Sequence, residues 1–348
     1  MKKYNFLIAI LLTLTSIILL TACSNSPDET GSTGEQENDS SESSDQIDDT
    51  TEATTVEITD AHGTVTVPIN SKKVVVLDNR SFETLDNWGV ELAAAPKAVM
   101  PASLSYIDDE SVQDIGNHRE PNLEIIAAVD PELVIVGQRF AGYYEEIKKL
   151  VPNAIVIDLN IDVSEEANSP GDNLVNGFKD STIALGEIFD KNQEAEQLVT
   201  DFDQAIEEAK SAYNGTDTMM SVVVSGGDIG FSAPHHGRVW GPLYDIFEWT
   251  SALEIDHASS DHQGDDISVE AIAESNPDWI FVLDRDAAIS STSDAVPAQD
   301  VIDNSPALQN TTAITKGQII YAPNDTYTNE SIHTFLEIFE EIANALAE

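Results

Sequence analysis

Cysteine and basic residues are scarce in this sequence of 348 residues. The single cysteine, Cys23, excludes a disulfide within the chain and disfavours a catalytic thiol. Lysine and arginine together number 16, against 63 aspartate and glutamate residues, which gives a formal net charge of −47 at pH 7. Such an excess argues against binding nucleic acid or an anionic membrane by charge attraction. We interpret it as a strongly hydrated acidic surface, as in proteins that work in high salt.

The N-terminus carries the pattern of a secretory signal. Lys2 and Lys3 precede an apolar run over residues 6–20, and the segment ends in the letters LTAC, similar to a lipobox. We therefore expect residues 1–22 to be a signal peptide and Cys23 to carry a diacylglyceryl group, whose two acyl chains make a stable anchor. This predicts a protein anchored by lipid to the extracellular face of the cell membrane.

The segment after Cys23 has almost no apolar side chains. Residues 24–52 contain ten acidic residues and no basic ones. Such a composition cannot bury a core, so residues 23–54 are predicted to be a lipidated, disordered acidic tether.

From residue 55 onward, short apolar β-rich runs alternate with helical patterns, which is typical of an α/β fold with mainly parallel sheets. The alternation breaks in the middle of the chain, where two long helical patterns follow one another. We therefore predict two α/β lobes joined by a long helical connector. The N-terminal lobe covers residues 55–168, the connecting helix 169–191, and the C-terminal lobe 192–348.

One unit of eighteen residues occurs twice, once in each predicted lobe. Residues 122–139 read NLEIIAAVDPELVIVGQR and residues 268–285 read SVEAIAESNPDWIFVLDR, with six identical letters in register. Each copy predicts a helix that opens near a glutamate, stops at a proline and leads into a buried strand. Each copy ends on an arginine, Arg139 or Arg285. Since ligands of open parallel sheets bind beyond the carboxyl ends of the strands, both arginines should point into a crevice.

The chain has only five arginines, and four of them follow predicted strands. Arg80, Arg139 and Arg285 come after central strands, and Arg238 lies in the loop after the letters GFSAP. In so acidic a chain, four arginines at one sheet edge predict a local positive pocket that accepts an anion. A pair of charges about 4 Å apart interacts by about 4 kcal/mol at an effective dielectric near 20. Surface carboxylates beyond about 8 Å are screened in physiological salt, so the local arginines should dominate.

These features resemble the substrate-binding lipoproteins of iron–siderophore ABC importers, over roughly residues 55–348. The stretches VVVLDNRSFETLDNWGV, NPDWIFVLDR and IIYAPNDTY are most similar to the branch that binds ferric catecholate or petrobactin-type siderophores. The resemblance implies a periplasmic-binding-protein fold of cluster A (class III), with a ligand cleft between the lobes. It also implies a monomeric binding protein without a cofactor of its own, which delivers an anionic ferric siderophore to an ABC permease.

The resemblance further implies individual site residues. Arg139, Arg238 and Arg285 fall on the positions of three arginines that surround the ferric catecholate in that branch. His262 and Tyr327 fall on positions that ligate iron when the siderophore leaves coordination sites open, and imidazole and phenolate are both reasonable iron ligands.

For the glutamates of the repeated unit, the resemblance implies a role in docking to the permease. In the wider family a glutamate on each lobe docks into arginine pockets of the permease, and Glu124 and Glu270 match that position. Stabilisation of the helix dipole would explain a glutamate at the start of each helix equally well.

Three alternatives stay open from the sequence. The same fold can bind haem or cobalamin, and a related class binds bare zinc or manganese. His235 and His236 suggest a site for such a metal ion, but adjacent histidines are poorly placed to bind one tetrahedral ion together. Arginines should also not surround a bare cation. An enzyme is disfavoured because VVSGGDIGFS is neither a phosphate-binding loop nor a nucleophile elbow.

Overall fold

In the computed structural model, residues 54–256, 259–289 and 295–347 are described. The predicted signal peptide, Cys23 and tether up to residue 53 lie outside them. Alternating β-branched residues at the start form the predicted hairpin of strands β1 (Thr55–Asp60) and β2 (Gly63–Pro68), which pair antiparallel around a turn at Gly63 with a φ of 127°.

The first lobe is built on a parallel sheet in the order β5-β4-β3-β6-β7. Its two central strands each consist of four fully buried apolar residues, as expected for strands covered on both faces. The elements, in chain order, are β3 (Val74–Leu77), α1 (Phe82–Asn87), β4 (Ala94–Ala95), β5 (Gln113–Asp114), α2 (Leu123–Val129), β6 (Leu133–Val136), α3 (Tyr144–Leu150) and β7 (Ile155–Asp158).

Two long helices follow, α4 (Pro170–Ile188) and α5 (Asn192–Ala212), as the uninterrupted helical patterns predict. Helix α4 serves both lobes. Leu174 and Phe178 near its start belong to the core of the second lobe, whereas Leu185 and Ile188 near its end belong to the core of the first. The connector is therefore fixed at both ends by apolar packing.

The second lobe carries a sheet in the order β10-β8-β11-β12, all parallel, with β9 paired antiparallel to β8 at the side. Both sheets thus confirm the prediction of mainly parallel α/β lobes. The elements are β8 (Thr218–Ser225), β9 (Asp228–Phe231), α6 (Gly241–Phe247), β10 (Thr250–Ser251), α7 (Val269–Ser275), β11 (Trp279–Asp284), α8 (Arg285–Ile289), α9 (Ala298–Asp303), α10 (Thr312–Lys316), β12 (Ile319–Tyr321) and α11 (Ile332–Leu346).

The two copies of the repeated unit fold alike, as α2–β6 and α7–β11. The side chains of Asn122 and Ser268 accept hydrogen bonds from backbone N–H groups in the first turn of each helix. Each helix ends on a left-handed residue, Asp130 with a φ of 50° and Asn276 with a φ of 48°, directly before the proline. The predicted helix–stop–strand order is therefore confirmed in both lobes.

Apolar clusters lie on both faces of each sheet, and the unit Glu52–Glu348 is compact. We therefore expect a fragment beginning at Glu52 to fold by itself. Among the described residues, no helix combines the length and hydropathy needed to span a membrane.

Candidate functional site

Two arginines of the first lobe leave its sheet at the same edge. Leu77 and Val136 are paired neighbours at the ends of β3 and β6, and Arg80 and Arg139 stand at the third position after each. Because the strands are parallel, both side chains start from the carboxyl edge, as the sequence predicts.

Two further arginines come from the second lobe. Arg285 directly follows β11, and its Nη1 donates to Ser225 Oγ at the end of the neighbouring strand β8, at 3.0 Å. Arg238 lies in the loop between β9 and α6, next to Val239, whose φ of 65° is unusual for a β-branched residue. The loop is closed by a hydrogen bond from Gly241 N to Gly237 O of 2.7 Å, which holds this strained turn in place.

Three of these arginines converge on Tyr327, in the segment between β12 and α11. The Cζ atoms of Arg139, Arg238 and Arg285 lie 5.3, 4.0 and 5.2 Å from the centre of its ring. The carbonyl oxygen of Tyr327 also accepts hydrogen bonds from Arg139 Nη2 at 2.8 Å and Arg238 Nη2 at 3.2 Å. The structure thus brings together one arginine of the first lobe, two of the second, and the tyrosine that the resemblance singled out.

The arginines change the chemistry of the tyrosine. Burial would raise the pKa of the Tyr327 hydroxyl, but the guanidinium groups of Arg238, Arg139 and Arg285 outweigh burial and lower it below its usual value. A lowered pKa favours the phenolate, which is the form that ligates ferric iron. Burial and the neighbouring Arg238 lower the pKa of Arg139 as well, as expected for cations held close together.

Glu330 supplies the counter-charge and was not predicted from the sequence. It is only 5% exposed. Its carboxylate accepts a hydrogen bond from Arg238, accepts another from Gln138 Nε2 at 2.8 Å, and lies 3.6 Å from Arg80 Nη2. Burial would raise the pKa of Glu330, but the adjacent arginines hold it below its usual value, so the group is ionised at neutral pH. Glu330 therefore joins the arginines of both lobes.

Around Tyr327 lies a cavity of about 500 Å³, which we call the cleft. It falls within the range of about 300–1,000 Å³ that is usual for small-molecule sites. The cleft is lined by residues of both lobes, among them Val99, Met100, His118, Arg119, Arg139, Arg238, His262, Arg285, Ala288 and Tyr327. Arg80 is not among its lining residues; it is buried, donates to Ile161 O at 3.2 Å, and contacts Glu330 instead.

Two histidines face the cleft from opposite lobes. His262, the histidine proposed from the resemblance, keeps 46% of its side chain exposed and lies 3.6 Å from Asp261. His118 lies in a bend and lines the cleft, and its buried Nδ1 has no partner among the described residues. Burial and the nearby Arg139, together with Arg119 and Arg238, lower the pKa of His118, so it is neutral at pH 7.

The remaining predicted site residues lie outside the cleft. Glu124 and Glu270 are exposed in the first turns of α2 and α7, so both side chains are accessible to a partner. Their role in permease docking stays a prediction, as does lipidation of Cys23, which lies outside the described residues.

The adjacent histidines have separate partners. His235 Nδ1 lies 2.6 Å from Asp245 Oδ1, and His236 Nδ1 donates to Ser164 O at 3.1 Å. Within residues 54–256, 259–289 and 295–347, no three His, Cys, Asp or Glu side chains are grouped as a metal site would require.

Comparison with known proteins places the chain in a family. The family model described as periplasmic binding protein matches residues 74–326, from the first central strand to the segment that carries Tyr327. The chain belongs to this family, whose members bind substrates for transport.

Among curated relatives, the petrobactin-binding protein YclQ of Bacillus subtilis (strain 168) is 30% identical over 82% of this chain and 86% of its own. The ferric-anguibactin-binding protein FatB of Vibrio anguillarum is 29% identical over 80% of this chain and 84% of its own. Among solved structures, the siderophore-binding protein BauB, bound to two molecules of acinetobactin and ferric iron, matches with a TM-score of 0.71 and 25% identity. That match covers 84% of this chain and 99% of BauB.

Proposed function

We propose that this protein captures an anionic ferric siderophore of the catecholate or petrobactin type in its cleft. The observation that carries the proposal is the convergence of Arg139, Arg238 and Arg285 on Tyr327 from two lobes. Guanidinium groups match oxyanions in charge and in the geometry of their donors. The names of the relatives, which refer to petrobactin and to ferric anguibactin, support the same ligand class.

Two side chains of the cleft suit the iron itself. His262 and Tyr327 line the same cavity, and the phenolate form of Tyr327 is favoured by its arginines. When the siderophore leaves coordination sites on the iron open, these two side chains can fill them.

The proposal includes delivery to an ABC importer. Glu124 and Glu270 stand exposed at equivalent positions of the two lobes, which gives a permease two symmetric contacts. Lipidation at Cys23 would keep the protein at the extracellular face of the membrane, next to that permease. The protein itself performs binding and no chemistry on the ligand.

A titration of the fragment from Glu52 tests the ligand class. Ferric catecholates, ferric petrobactin, haem, cobalamin and zinc would each be added while tryptophan fluorescence is followed, since Trp240, Trp249 and Trp279 all lie buried in the second lobe. We expect saturable quenching by the anionic ferric complexes. Saturation by haem, cobalamin or zinc, with no response to any ferric siderophore, would contradict the proposal.

Matched variants test the arginines. Arg139→Gln and Arg285→Gln, one in each lobe, should each weaken ferric siderophore binding about tenfold to a hundredfold, because a hydrogen bond to a charged group contributes about 1.5–3 kcal/mol. Lys210→Gln on the exposed face of α5 makes the same charge change far from the cleft and should leave affinity unchanged. Equal effects of all three variants would show that binding depends on overall charge rather than on the cleft.

A further inference from the structure

A second cavity, of about 360 Å³, adjoins the cleft across Arg139 and Arg238, which line both. We call it the rear cavity. Arg80 and Glu330 line it as well, and its apolar wall includes Leu174 of α4 and Phe335 of α11. It lies where the chain passes from the first sheet to the connector.

The charges at the wall of the rear cavity do not cancel. Arg80, Arg139 and Arg238 contribute three guanidinium groups, and Glu330 and Asp162 contribute two carboxylates. Asp162 is ionised at neutral pH, because hydrogen bonds from Ser164 lower its pKa. One positive charge is therefore left over beside a partly apolar wall.

The same three arginines have unused donors. The Nε atoms of Arg80, Arg139 and Arg238 are buried, and the described residues offer no acceptor to any of them; the same holds for Arg285 Nε at the cleft. Arg80 as a whole is only 8% exposed and does not reach the cleft. Buried donors without partners are rare in folded proteins and point to a missing acceptor. An anionic acceptor in the rear cavity would balance the charge and accept hydrogen bonds from the guanidinium groups that line it.

We propose that the rear cavity binds a carboxylate group while the cleft holds the ferric complex. This deepens the proposed function, on which it rests: the ligand site extends to both sides of the Arg139–Arg238 pair. The carboxylate can belong to a small free acid or to a pendant arm of the siderophore, and both sources offer the same chemistry to the guanidinium groups.

The scarcity of arginine allows a direct test. A fragment labelled with ¹⁵N-arginine gives only five Nε–H signals in an NMR spectrum, and the Arg119→Lys and Arg285→Lys variants identify the two that do not belong to the rear cavity. Succinate should shift the other three signals saturably, with a Kd on the order of 1 mM for so small a ligand. Succinamide, which has the same shape without charge, should leave them in place.

Two blocking variants locate the bound acid. Ser164 lines the rear cavity only and is exposed, whereas Ala288 lines the cleft only. Ser164→Trp should abolish the shifts caused by succinate, and Ala288→Trp should preserve them. Absence of saturable shifts in the wild-type fragment, or shifts of the Arg119 and Arg285 signals that Ala288→Trp removes, would overturn the proposal. The shifts of the arginine signals in the wild-type fragment test the proposal even when a variant does not fold.

Gallium complexes, which are diamagnetic, separate the two sources of the carboxylate. When a gallium siderophore with a free carboxylate arm displaces succinate and a gallium tris-catecholate does not, the arm occupies the rear cavity. When neither displaces it, a free acid binds beside the ferric complex. Displacement of succinate by the tris-catecholate alone would contradict a separate subsite. Succinate binding without any binding of ferric or gallium siderophores would refute the proposed function and leave the rear cavity as a carboxylate site.

Discussion

At the cleft, three like-charged guanidinium groups surround one tyrosine ring, and a fourth, Arg80, lies just behind them. Such a cluster is stable only with a counter-charge, since buried charges need partners. Glu330 is that counter-charge: it is buried and contacts Arg80, Arg238 and Gln138. Because these contacts join both lobes, the carboxylate contributes to the stability of the whole ligand site.

Glu330→Gln should therefore destabilise the protein. The amide keeps the size of the side chain but leaves Arg80 and Arg238 without their anion, and breaking a buried ion pair in this way costs about 3–5 kcal/mol. Urea unfolding at pH 7 measures the loss. Glu340→Gln on the exposed face of α11 is the matched control and should change the unfolding free energy by less than about 0.5 kcal/mol.

The stability difference between the wild type and Glu330→Gln should also depend on pH. The pKa of Glu330 in the folded protein lies below its ordinary value of 4.5, so the unfolded chain binds its proton first. The advantage of the wild type over Glu330→Gln is thus complete above about pH 4.5 and shrinks as pH falls through the folded-state pKa. A difference that grows on acidification, or stays constant to pH 3, would contradict this role.

The sequence alone indicates the arginines but not Glu330. Each arginine follows an apolar run that is recognisable as a strand, so its position at the sheet edge is predictable from local pattern. Glu330 is one of 63 acidic residues, and nothing near it in sequence marks it as buried. Its partner Arg80 is 250 positions away in the chain, and only the folded arrangement of the two lobes brings them together.

At the scale of elements, the two copies of the repeated unit have the same backbone conformation at the helix end but differ in the contacts of the residue there. Both helices end on a left-handed residue, Asp130 or Asn276. Asn276 also binds the first residue of α10: its Oδ1 accepts from Thr312 N at 2.8 Å and its Nδ2 donates to Thr312 Oγ1 at 2.9 Å. Within the part of the chain that the structure describes, the Asp130 carboxylate pairs only with Lys73, at 3.7 Å on the surface. The second copy therefore binds the first residue of a neighbouring helix, and the first copy does not.

Replacing Asp130 or Asn276 by glycine should distinguish the effect of the left-handed conformation from that of the contact with Thr312. Glycine adopts the left-handed conformation without strain, so Asp130→Gly should change the unfolding free energy by less than about 0.5 kcal/mol. Asn276→Gly should lower it by about 1 kcal/mol, because the hydrogen bonds between Asn276 and Thr312 are lost, although Thr311 still caps α10. Urea unfolding of both variants tests this. An equal loss in both would mean that the conformation, and not the contact with Thr312, determines the stability.

The fold of the repeated unit was predictable because the residues that determine it lie close together in the sequence. Helix start, proline stop and apolar strand follow each other within eighteen residues, and both copies fold as that pattern indicates. The short strands β4, β5 and β10 have only two residues each, which is too short for any periodicity. Strands β4 and β10 form on the edges of the longer strands β3 and β8, and β5 pairs in turn with β4.

At the scale of the molecule, the segment between β12 and α11 joins the lobes. Asn79 of the first lobe donates to Thr328 O at 2.8 Å, and Glu83 accepts from Asn329 Nδ2 at 2.9 Å. The same segment carries Tyr327 and Glu330, so the contacts between lobes and the ligand site share one stretch of chain. A ligand bound in the cleft as we propose would therefore contact the junction of the two lobes.

This arrangement also explains how a chain of net charge −47 can bind an anion. Most of its carboxylates are spread over the surface and are screened beyond about 8 Å in physiological salt. Arg139, Arg238 and Arg285 are partly buried and held within a few ångströms of the Tyr327 ring, where screening is weak.

The most direct test of the account is to locate the iron. Crystals of the fragment from Glu52, grown with a ferric catecholate or ferric petrobactin, would be measured at the iron absorption edge for anomalous scattering. We predict one iron peak in the cleft beside Tyr327, with siderophore oxygens about 2.7–2.9 Å from guanidinium nitrogens of Arg139, Arg238 and Arg285. An iron peak outside the cleft, or a siderophore bound without contact to these three arginines, would contradict the account.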